Sequence, residues 1–413
     1  MQIISWDKNA VRKIEALSKT TFDMGLLKVV NKIVSEVHKK GDSALRKFTK
    51  DFDGVDVPTK KLQVTQGEIN RAYEQVDVKF VHLLTSVIDN VKRYYKKEIC
   101  KGYRIKTKEG AILGKRYLPI DRVGVYIPGG QAPLVSTICM TAVPAQVAGV
   151  KDVVMVTPPN SETGYVNPHL LVVADLLGIK EIYKAGGAQA IAALAFGTKT
   201  IPKVDKIVGP GNQYVTEAKR QVFGFVDIDM TAGPSEVAII ADQQANVEYV
   251  LADMYAQAEH VGGLSVLITT SKRLAEQVKK QYDMPAARVA IVLVKTLDEA
   301  AVVSDLIAPE HLQIMTKTPS RVLKSVRHAG AIFIGPYSPA VVGDYVAGPS
   351  HVLPTGGTAR YFSPLSASDF IKGSQYIQYT KEALVKHREI LKRMTEIEGL
   401  FWHGRAVEKR FES

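Results

Sequence analysis

Apolar residues recur three and four positions apart in the first 120 residues, and this pattern is clearest over 34–48 and 68–97. The spacing places apolar side chains on one face of a helix, so it predicts amphipathic helices in both segments. The polar runs HKKGDS and DFDGVDVP interrupt the pattern and are typical of turns. The sequence therefore predicts a mostly helical N-terminal third that serves as a scaffold.

The pattern changes at residue 121 to short runs of β-branched residues, most of which end in glycine or proline before an amphipathic stretch. The first series comprises RVGVYIPGG, KDVVMVTPP, IKEIYKAGG and VDKIVGPGN. The second series comprises SEVAIIAD, LSVLITT, ARVAIVLV and AGAIFIG, with helix-like segments such as 247–259 and 274–282 between them. Strands that alternate with helices are typical of βα units in a parallel sheet. The sequence therefore predicts an α/β fold with two doubly wound half-domains.

Beyond about residue 361 the chain becomes a strongly amphipathic, helix-rich tail. The tail lacks enough alternating apolar residues to form a core of its own, so it must pack on another surface. The pattern leaves open whether that surface belongs to the same chain or to a second subunit.

Composition and charge narrow the range of partners. The chain has 413 residues, of which 46% are hydrophobic and 23% are charged, and this is enough apolar material for at least two cores. The net charge of +12 comes mainly from the first 120 residues, where basic and acidic residues are mixed as on solvated helix faces. Because no strand combines basic and aromatic residues in the manner of RNA-binding domains, we expect no nucleic-acid partner.

Apolar runs and cysteines bear on location and on metal chemistry. No run approaches the roughly 18 apolar residues that a membrane-spanning helix needs. The N-terminus becomes charged too early for a signal peptide, so we expect a cytoplasmic protein without a membrane partner. Cys100 and Cys139 each stand apart from any second Cys or His at metal-binding spacing, which favours two free thiols. Any metal must then have N and O ligands.

Four glycine-rich turns are expected to follow strands of the predicted sheets. They contain Gly129-Gly130, Gly186-Gly187, Gly209-Pro210-Gly211-Asn212 and Gly233-Pro234-Ser235. Because ligands of parallel sheets bind beyond the carboxyl ends of the strands, backbone N–H groups in these turns could approach an anion or a ribose. None of the turns matches the dinucleotide fingerprint G-x-G-x-x-G, and a single turn of this kind is usually plain turn chemistry. Four such turns in one region favour a binding role.

Four of the nine histidines have a candidate polar partner nearby in the chain. Gln257 and His260 are three apart, which places them on one face of a helix, although a histidine before a glycine is more often a simple helix end. Glu310 and His311 are adjacent at a helix-to-strand junction, where a carboxylate and an imidazole could act as paired acid and base. The adjacency alone is also common by chance.

Two further pairs lie nearer the C-terminus. Asp344 and His351 occupy a long loop broken by glycines, and such loops are usually functional or disordered. Glu398 and His403 are five apart in the tail, where a solvated helix face explains them about as well as a site does. Four residues could together supply N and O ligands to one zinc ion: Gln257, His260, Asp344 and His403. The lack of cysteine ligands fits a catalytic metal.

The chain resembles the histidinol dehydrogenase family from about residue 25 onward. The resemblance is densest in VGVYIPGG, GGAQAIAALAFGT, VDKIVGPGNQYVTEAKRQV, AGPSEV, QAEH, APEHLQI, GDYVAGPSHVLPTGGTAR and the tail motif EGLxxHxxAV. These motifs are long, specific and ordered. The resemblance implies an α/β fold of two incomplete Rossmann-like doubly wound domains, with a helix-rich N-terminal segment and a C-terminal tail.

The resemblance also implies a reaction and its cofactors. The family oxidises L-histidinol to L-histidine, the last step of histidine biosynthesis, in two hydride transfers to two NAD molecules through bound histidinal. It implies one Zn²⁺ per subunit and a homodimer whose active sites are shared between subunits. The alternative is a paralogous zinc- and NAD-dependent dehydrogenase of another small polar alcohol, such as a sulfonated diol.

Roles for individual residues follow from the same resemblance. The zinc ligands would be Gln257, His260, Asp344 and His403, and these residues would also contact the substrate. The acid/base pair would be Glu310 and His311. Substrate contacts would further include Ser235, His311 and Glu398. NAD would contact Tyr126, Gln189 and Asn212.

The resemblance divides the chain into four parts. Residues 1–24 would form an N-terminal helical segment. Residues 25–122 and 235–365 would form a first Rossmann-like domain that carries the zinc and acid/base residues. Residues 123–234 would form a second, NAD-binding domain, and residues 366–413 a helical tail that reaches the partner subunit.

Overall fold

The computed structural model describes residues 2–7, 10–18, 23–129, 133–231, 233–284 and 288–412. The strands are β1 (Gln2–Ser5), β2 (Tyr103–Lys106), β3 (Ile112–Pro119), β4 (Arg122–Tyr126), β5 (Asp152–Thr157), β6 (Glu181–Lys184), β7 (Lys206–Val208), β8 (Asp227–Ile228), β9 (Glu236–Ala241), β10 (Leu264–Thr269), β11 (Arg288–Leu293), β12 (His311–Met315), β13 (Ala331–Ile334) and β14 (Ile371–Gln378). The α-helices are α1 (Val11–Ser18), α2 (Met24–Lys40), α3 (Asp42–Asp53), α4 (Gln66–Gln75), α5 (Val78–Tyr95), α6 (Val135–Ala148), α7 (Pro168–Leu176), α8 (Gly187–Phe196), α9 (Gln213–Val222), α10 (Val247–Ala258), α11 (Lys272–Gln281), α12 (Leu297–Ile307), α13 (Pro319–Ser325), α14 (Ala340–Tyr345), α15 (Lys381–Ile397) and α16 (Phe401–Glu408). Short 3₁₀ helices cover Thr59–Lys61, Thr358–Arg360 and Ala367–Phe370.

The strands β4 to β8 form a parallel sheet, which we call the first sheet, in the order β6-β5-β4-β7-β8. Because both faces of a parallel sheet are apolar, each face must be covered. The helices α4, α5, α6 and α7 share one hydrophobic core with the sheet, and α2, α3, α8 and α9 share the other. The first sheet is therefore wound on both sides.

The second sheet is also parallel and has the order β1-β11-β10-β9-β12-β13. Residues of α1, α12 and α13 pack on one of its faces, and residues of α10 and α11 pack on the other. The two sheets confirm the predicted α/β fold with two incomplete Rossmann-like, doubly wound halves.

The N-terminal elements pack differently from the predicted grouping. The sequence groups 25–122 with 235–365, whereas the buried faces of α2 to α5 lie in the cores of the first sheet, formed by 122–228. The segment 1–24, predicted as helical, begins with β1 at the edge of the second sheet and continues with α1. An apolar stripe shows that a helix face is buried, but it does not show which sheet covers that face.

Residues 99–119 and 371–413 form a compact unit of their own, which we call the second unit, whereas 1–98 and 120–370 form the first unit. In the second unit, β14, β3 and β2 make an antiparallel sheet, and α15 contacts α16. Residues 1–120 are mostly helical, as predicted, but they also contain β1, β2 and β3, and the helical tail begins with the strand β14, which was not predicted. All four residues of β2 and most of β14 are exposed, so these strands lack the alternation that identifies a half-buried strand.

Two expectations about composition can be compared with the structure. Neither Cys100, which is exposed, nor Cys139, which is buried, forms a disulfide, as the cysteine spacing predicts. Among the described residues, no helix has the length and apolar character that crossing a membrane requires.

Tyr95 joins the end of α5 to the chain that follows α14, and we predict a measurable loss of stability when its hydroxyl is removed. The hydroxyl accepts a hydrogen bond from the Ser350 N–H at 2.7 Å and donates one to the Leu365 carbonyl at 2.9 Å. Tyr95→Phe leaves these buried groups unpaired, so we expect the free energy of unfolding to fall by about 1–3 kcal/mol in denaturant titrations. Tyr94→Phe, at a ring that is 43% exposed, is the control, and an equal loss in both variants would contradict the prediction.

Candidate active site

Glu310 and His311 lie at the amino end of the second sheet, where β12 begins beside β9. The Nδ1 atom of His311 lies 3.0 Å from the carbonyl oxygen of Glu236, and the N–H of Glu236 donates to Glu310 Oε2 at 2.9 Å. Both side chains of the predicted acid/base pair are buried. The backbone of one residue, Glu236, therefore orients both members of the pair.

Sequence reasoning missed Glu236 although it singled out the motif AGPSEV that contains it. Only 2% of Glu236 is exposed, and its Oε2 atom has no hydrogen-bond partner. Burial, together with the nearby Glu310 carboxylate, raises the pKa of Glu236 to about 8. A carboxylate at the start of the otherwise apolar strand EVAIIA is the signal that could have identified it. The side chain of Ser235, the residue before it, opposes the effect of burial on the pKa of Glu310.

Asp344, at the end of α14, faces the other ring nitrogen of His311. Its Oδ1 atom lies 3.7 Å from His311 Nε2, and 31% of its side chain is exposed. His351 supports Asp344, because its Nδ1 atom lies 2.9 Å from the Asp344 carbonyl oxygen. The Nε2 atom of His351 lies 3.2 Å from the Thr137 hydroxyl on α6, which packs on the first sheet. His351 therefore connects the end of α14 to α6, a helix that packs on the first sheet.

The charges of Glu310, His311 and Asp344 are coupled. Burial lowers the pKa of His311, but the carboxylates of Glu310 and Asp344 outweigh this effect and raise the pKa to about 9. Burial raises the pKa of Asp344, and its contact with His311 outweighs burial and lowers it. Burial raises the pKa of Glu310, against the opposing effect of His311. A change at any one of these groups therefore alters the proton affinity of the other two.

Gln257 and His260, two further predicted metal ligands, lie at the end of α10. Gln257 is 5% exposed, and its Nε2 atom is buried without a hydrogen-bond partner. The helix ends at Ala258, so His260 lies in the following turn and is exposed. His260 contributes to lowering the pKa of Asp344, which indicates that the two side chains face one region. Three of the four predicted metal ligands therefore belong to the first unit, and their common role stays a prediction.

Asp344 and His260 can hold a divalent cation in the first unit only if Gln257 is a third ligand. Within the described parts of the chain, no group of three or more His, Cys, Asp or Glu side chains is placed to hold a metal ion. Gln257 would add its side-chain oxygen to the donors of Asp344 and His260, since an amide nitrogen has no free lone pair. Nitrogen and oxygen donors of this kind suit zinc, and they also suit other divalent ions.

Glu398 and His403 belong to the second unit. Glu398 is the residue at which α15 ends, and His403 lies in α16. Both side chains are exposed. The candidates of the first unit thus form their cluster from the first unit alone, and Glu398 and His403 are two exposed polar groups of the tail.

The predicted cofactor contacts lie at the carboxyl end of the first sheet. Tyr126 ends β4, and its hydroxyl accepts a hydrogen bond from the Gly187 N–H at 3.2 Å. Gly187 begins α8 with a φ of 63°, and a Cβ there would lie 2.6 Å from Gln189 Oε1. Gln189 is fully buried, and neither atom of its amide has a partner. Tyr126, Gly187 and Gln189 therefore form one cluster with unsatisfied polar groups.

Asn212 lies in the turn after β7, at the same end of the first sheet. Its side-chain oxygen accepts hydrogen bonds from the N–H groups of Tyr214 and Val215, which caps α9, and the residue is exposed. Of the four glycine-rich turns, three follow β4, β6 and β7, as expected, whereas the turn that ends at Ser235 precedes β9. Gly130, in the first of these turns, lies outside the described residues.

Comparison with known proteins decides the family. The family described as histidinol dehydrogenase matches residues 18–411. The chain is 45% identical to the histidinol dehydrogenase of Bacillus cereus, over 100% of this chain and 99% of that protein. It is also 45% identical to the histidinol dehydrogenase of Clostridium acetobutylicum, over 94% of this chain and 93% of that protein. The chain belongs to the histidinol dehydrogenase family.

Structural comparison agrees with this family. The crystal structure of histidinol dehydrogenase from Elizabethkingia anophelis matches with a TM-score of 0.92 at 35% identity, and the match covers 100% of this chain and 98% of that one. Membership of the histidinol dehydrogenase family confirms the resemblance seen in the sequence, and with it an oxidoreductase of histidine biosynthesis. The alternative, a dehydrogenase of another small polar alcohol, is not favoured. The roles of individual residues, of zinc and of NAD stay predictions.

Proposed function

We propose that the chain oxidises L-histidinol to L-histidine at the Glu310–His311–Asp344 cluster, with NAD as the hydride acceptor. The observation that carries this proposal is the position of the His311 imidazole, which is buried between the carboxylates of Glu310 and Asp344. A buried and strongly coupled acid/base group of this kind is typical of a catalytic site.

The metal in this proposal is one zinc ion per subunit. Its ligands would be Gln257, His260 and Asp344 of one chain, together with His403 of the partner subunit. When bound, the ion would supply a positively charged template that orients the imidazole and amino groups of L-histidinol. Asp344 would be neutralised by such a cation, which removes one of the two carboxylates that keep His311 protonated.

In the first half of the reaction, His311 would accept the proton of the substrate alcohol while the carbinol hydride passes to NAD. This step converts the alcohol to the aldehyde and removes two electrons. The Glu236 carbonyl holds His311 Nδ1, so Nε2, which lies 3.7 Å from Asp344 Oδ1, is the nitrogen left to accept the proton. No described hydrogen bond occupies this buried Nε2 atom.

In the second half, Glu310 would accept a proton from the water that adds to the aldehyde. His311 would first release the proton of the first half to solvent. The hydrated aldehyde would then lose a second hydride to a second NAD, and His311 would accept the hydroxyl proton. The product is the carboxylate of L-histidine, and four electrons have left the substrate. The Glu236 N–H, which donates to Glu310 Oε2, would keep this carboxylate aimed at the substrate.

NAD is proposed to bind at the carboxyl end of the first sheet, in contact with Tyr126, Gln189 and Asn212. Unsatisfied amide groups on Gln189 and the N-terminus of α8 offer donors to an anionic dinucleotide there. None of the turns carries the G-x-G-x-x-G fingerprint, which favours a loosely held cofactor that can exchange between the two half-reactions. The cytoplasmic location predicted from the sequence belongs to the same proposal.

We propose a homodimer because the second unit exposes several large apolar side chains. This unit exposes large apolar side chains, including Ile377, Ile397, Phe401 and Trp402, each at least 68% exposed. Apolar surface of this extent is typical of a face that a partner covers. In the proposed dimer, His403 and Glu398 of the tail reach the active site of the other subunit, where the Glu398 carboxylate suits the cationic amino group of L-histidinol.

Absorbance of NADH tests the proposed reaction. The purified, zinc-loaded protein is mixed with a limiting amount of L-histidinol and excess NAD, and a parallel sample receives a sulfonated diol. We expect two NADH for each L-histidinol, with L-histidine as the product, and none from the diol. One NADH per substrate would contradict the four-electron reaction, and turnover of the diol alone would move the chain to the alternative substrate class.

A further inference from the structure

A buried ion pair lies behind the turn that carries Asn212. Lys219, on α9, and Asp229, after β8, form this pair, and only 3% and 0% of their side chains are exposed. Lysine and aspartate are almost never buried to this degree unless they are paired, because both lose their hydration. Neither residue belongs to the Glu310–His311–Asp344 cluster, so the proposed acid/base chemistry does not explain why this pair is buried.

Both members of the pair bind the backbone of one residue, Gly209. The Gly209 N–H donates to Asp229 Oδ2 at 2.7 Å, and Lys219 Nζ donates to the Gly209 carbonyl at 3.0 Å. The other oxygen of Asp229 accepts hydrogen bonds from Lys219 and, at 2.6 Å, from the Met230 N–H. The two charged side chains therefore bind both the N–H and the carbonyl of Gly209, which is the first residue of the 209–212 turn.

Gly209 itself brings the turn close to Tyr126. Its φ is 119°, a conformation that favours glycine, and a Cβ on this residue would lie 2.2 Å from the Tyr126 carbonyl oxygen. No side chain can therefore fix the turn at this point. The hydrogen bonds of the ion pair fix it instead, and they set the position of Asn212 relative to Tyr126.

We propose that Lys219 and Asp229 are positioning residues for the cofactor: they hold the 209–212 turn where Asn212 and Tyr126 can bind one NAD molecule. This inference rests on the proposed function, because it takes these two residues as cofactor contacts. A pair that served stability alone would affect NAD and L-histidinol alike. A positioning pair affects the binding of NAD and leaves the binding of L-histidinol unchanged.

The test variant combines Lys219→Met with Asp229→Asn in the full chain. The two changes remove both charges together, so no unpaired charge stays buried, and the asparagine keeps an oxygen that can accept from the Gly209 N–H. The Gly209 carbonyl loses its donor. Lys206→Met is the matched control, because Lys206 is also buried on the first sheet and binds Asp227 Oδ2 at 2.7 Å, away from the 209–212 turn.

The expected result is a split between the two substrates. We expect KM for NAD to rise about 10- to 100-fold in the double variant. KM for L-histidinol and kcat at saturating NAD should change by less than about 3-fold. Lys206→Met should leave all three constants within about 2-fold of the unaltered protein. An unchanged KM for NAD in a folded double variant, or an equal rise of both KM values, would overturn the proposal.

Two further measurements keep the outcome decisive. Should the double variant fail to fold, Lys219→Arg keeps both charges of the pair but changes the donor that meets the Gly209 carbonyl; we expect a smaller rise in KM for NAD with KM for L-histidinol unchanged, and an unchanged KM for NAD would overturn the proposal. Equilibrium dialysis of NAD with the unaltered protein separates this inference from the proposed function. No binding would refute NAD as the cofactor, whereas normal binding by the unaltered protein and by the variants would refute only the positioning role.

Discussion

His311→Asn lowers kcat for L-histidinol by about 10²- to 10⁴-fold, which is the range that a general base contributes. The imidazole is proposed to accept a proton in both half-reactions, and asparagine cannot do so. Asparagine can still donate a hydrogen bond to the Glu236 carbonyl, which His311 Nδ1 now contacts at 3.0 Å, so we expect the fold to persist. Steady-state NADH formation at saturating L-histidinol and NAD measures the loss.

The control for this variant is His82→Asn. His82 lies on the exposed face of α5, so its replacement should leave kcat unchanged. Thermal melting of both variants shows whether each is folded at the assay temperature. A folded His311→Asn protein that keeps more than about a tenth of the original kcat would contradict the role of His311 as the base.

Removal of the metal should lower kcat/KM by on the order of 10²- to 10³-fold, because a bound cation contributes several kcal/mol to substrate orientation and charge stabilisation. Dialysis against a chelator, followed by analysis of metal content and of NADH formation, measures the effect. Added zinc should restore both the metal content and the activity. Full activity in protein that contains no metal would contradict the proposed ligand set.

Asp344→Asn links this loss to the proposed site. The variant keeps the size of the side chain and removes its charge, so we expect it to retain less zinc after dialysis than the unaltered protein. Glu259→Gln is the matched control, because Glu259 is an exposed carboxylate next to His260 and outside the proposed ligand set. Equal zinc retention by Asp344→Asn and Glu259→Gln would place the metal elsewhere.

The central strands of the two parallel sheets could be predicted from the sequence because both of their faces are buried, whereas the edge strands β1 and β8 were not predicted. Runs such as VGVY, VVMV and VAII are apolar without interruption, which is the pattern of a strand covered on both sides. The strands of the second unit do not have this pattern, so they were not predicted. Periodicity also does not show which sheet a helix packs on. The helices α2 to α5 pack on the first sheet, although residues 25–122 were grouped with residues 235–365.

Local breaks were harder to predict than helical character. The segment 68–97 reads as one amphipathic stretch, but it forms α4 and α5, separated at Val76 and Asp77. Asp77 caps α5 by accepting a hydrogen bond from the Phe80 N–H, and Val76 has an extended conformation. The aspartate was a readable capping signal, and the apolar periodicity on both sides of it concealed the break.

The candidate site was partly predictable from residue types. Carboxylate, imidazole and amide groups in ordered motifs identified Glu310, His311 and Asp344, which the structure brings together. The role of Glu236 depends on strand order, because β9 and β12 are neighbours in the second sheet although β10 and β11 lie between them in the chain. The spacing of residues along the sequence does not show which strands are neighbours in a sheet. The same limit hid Lys219 and Asp229, whose common partner, Gly209, is apparent only in three dimensions.

The central claim is that each active site combines the Glu310–His311–Asp344 cluster of one chain with His403 of the partner subunit, and mixing two inactive variants tests it most directly. His311→Asn and His403→Asn proteins are each assayed alone, then dissociated, mixed in equal amounts and reassembled. In a mixed dimer, the cluster from the His403→Asn chain meets the tail of the His311→Asn chain, and that site is intact. Random pairing predicts recovery of about a quarter of the unaltered activity. A mixture that stays as inactive as its components would show that each chain supplies its own tail, and would contradict the shared active site.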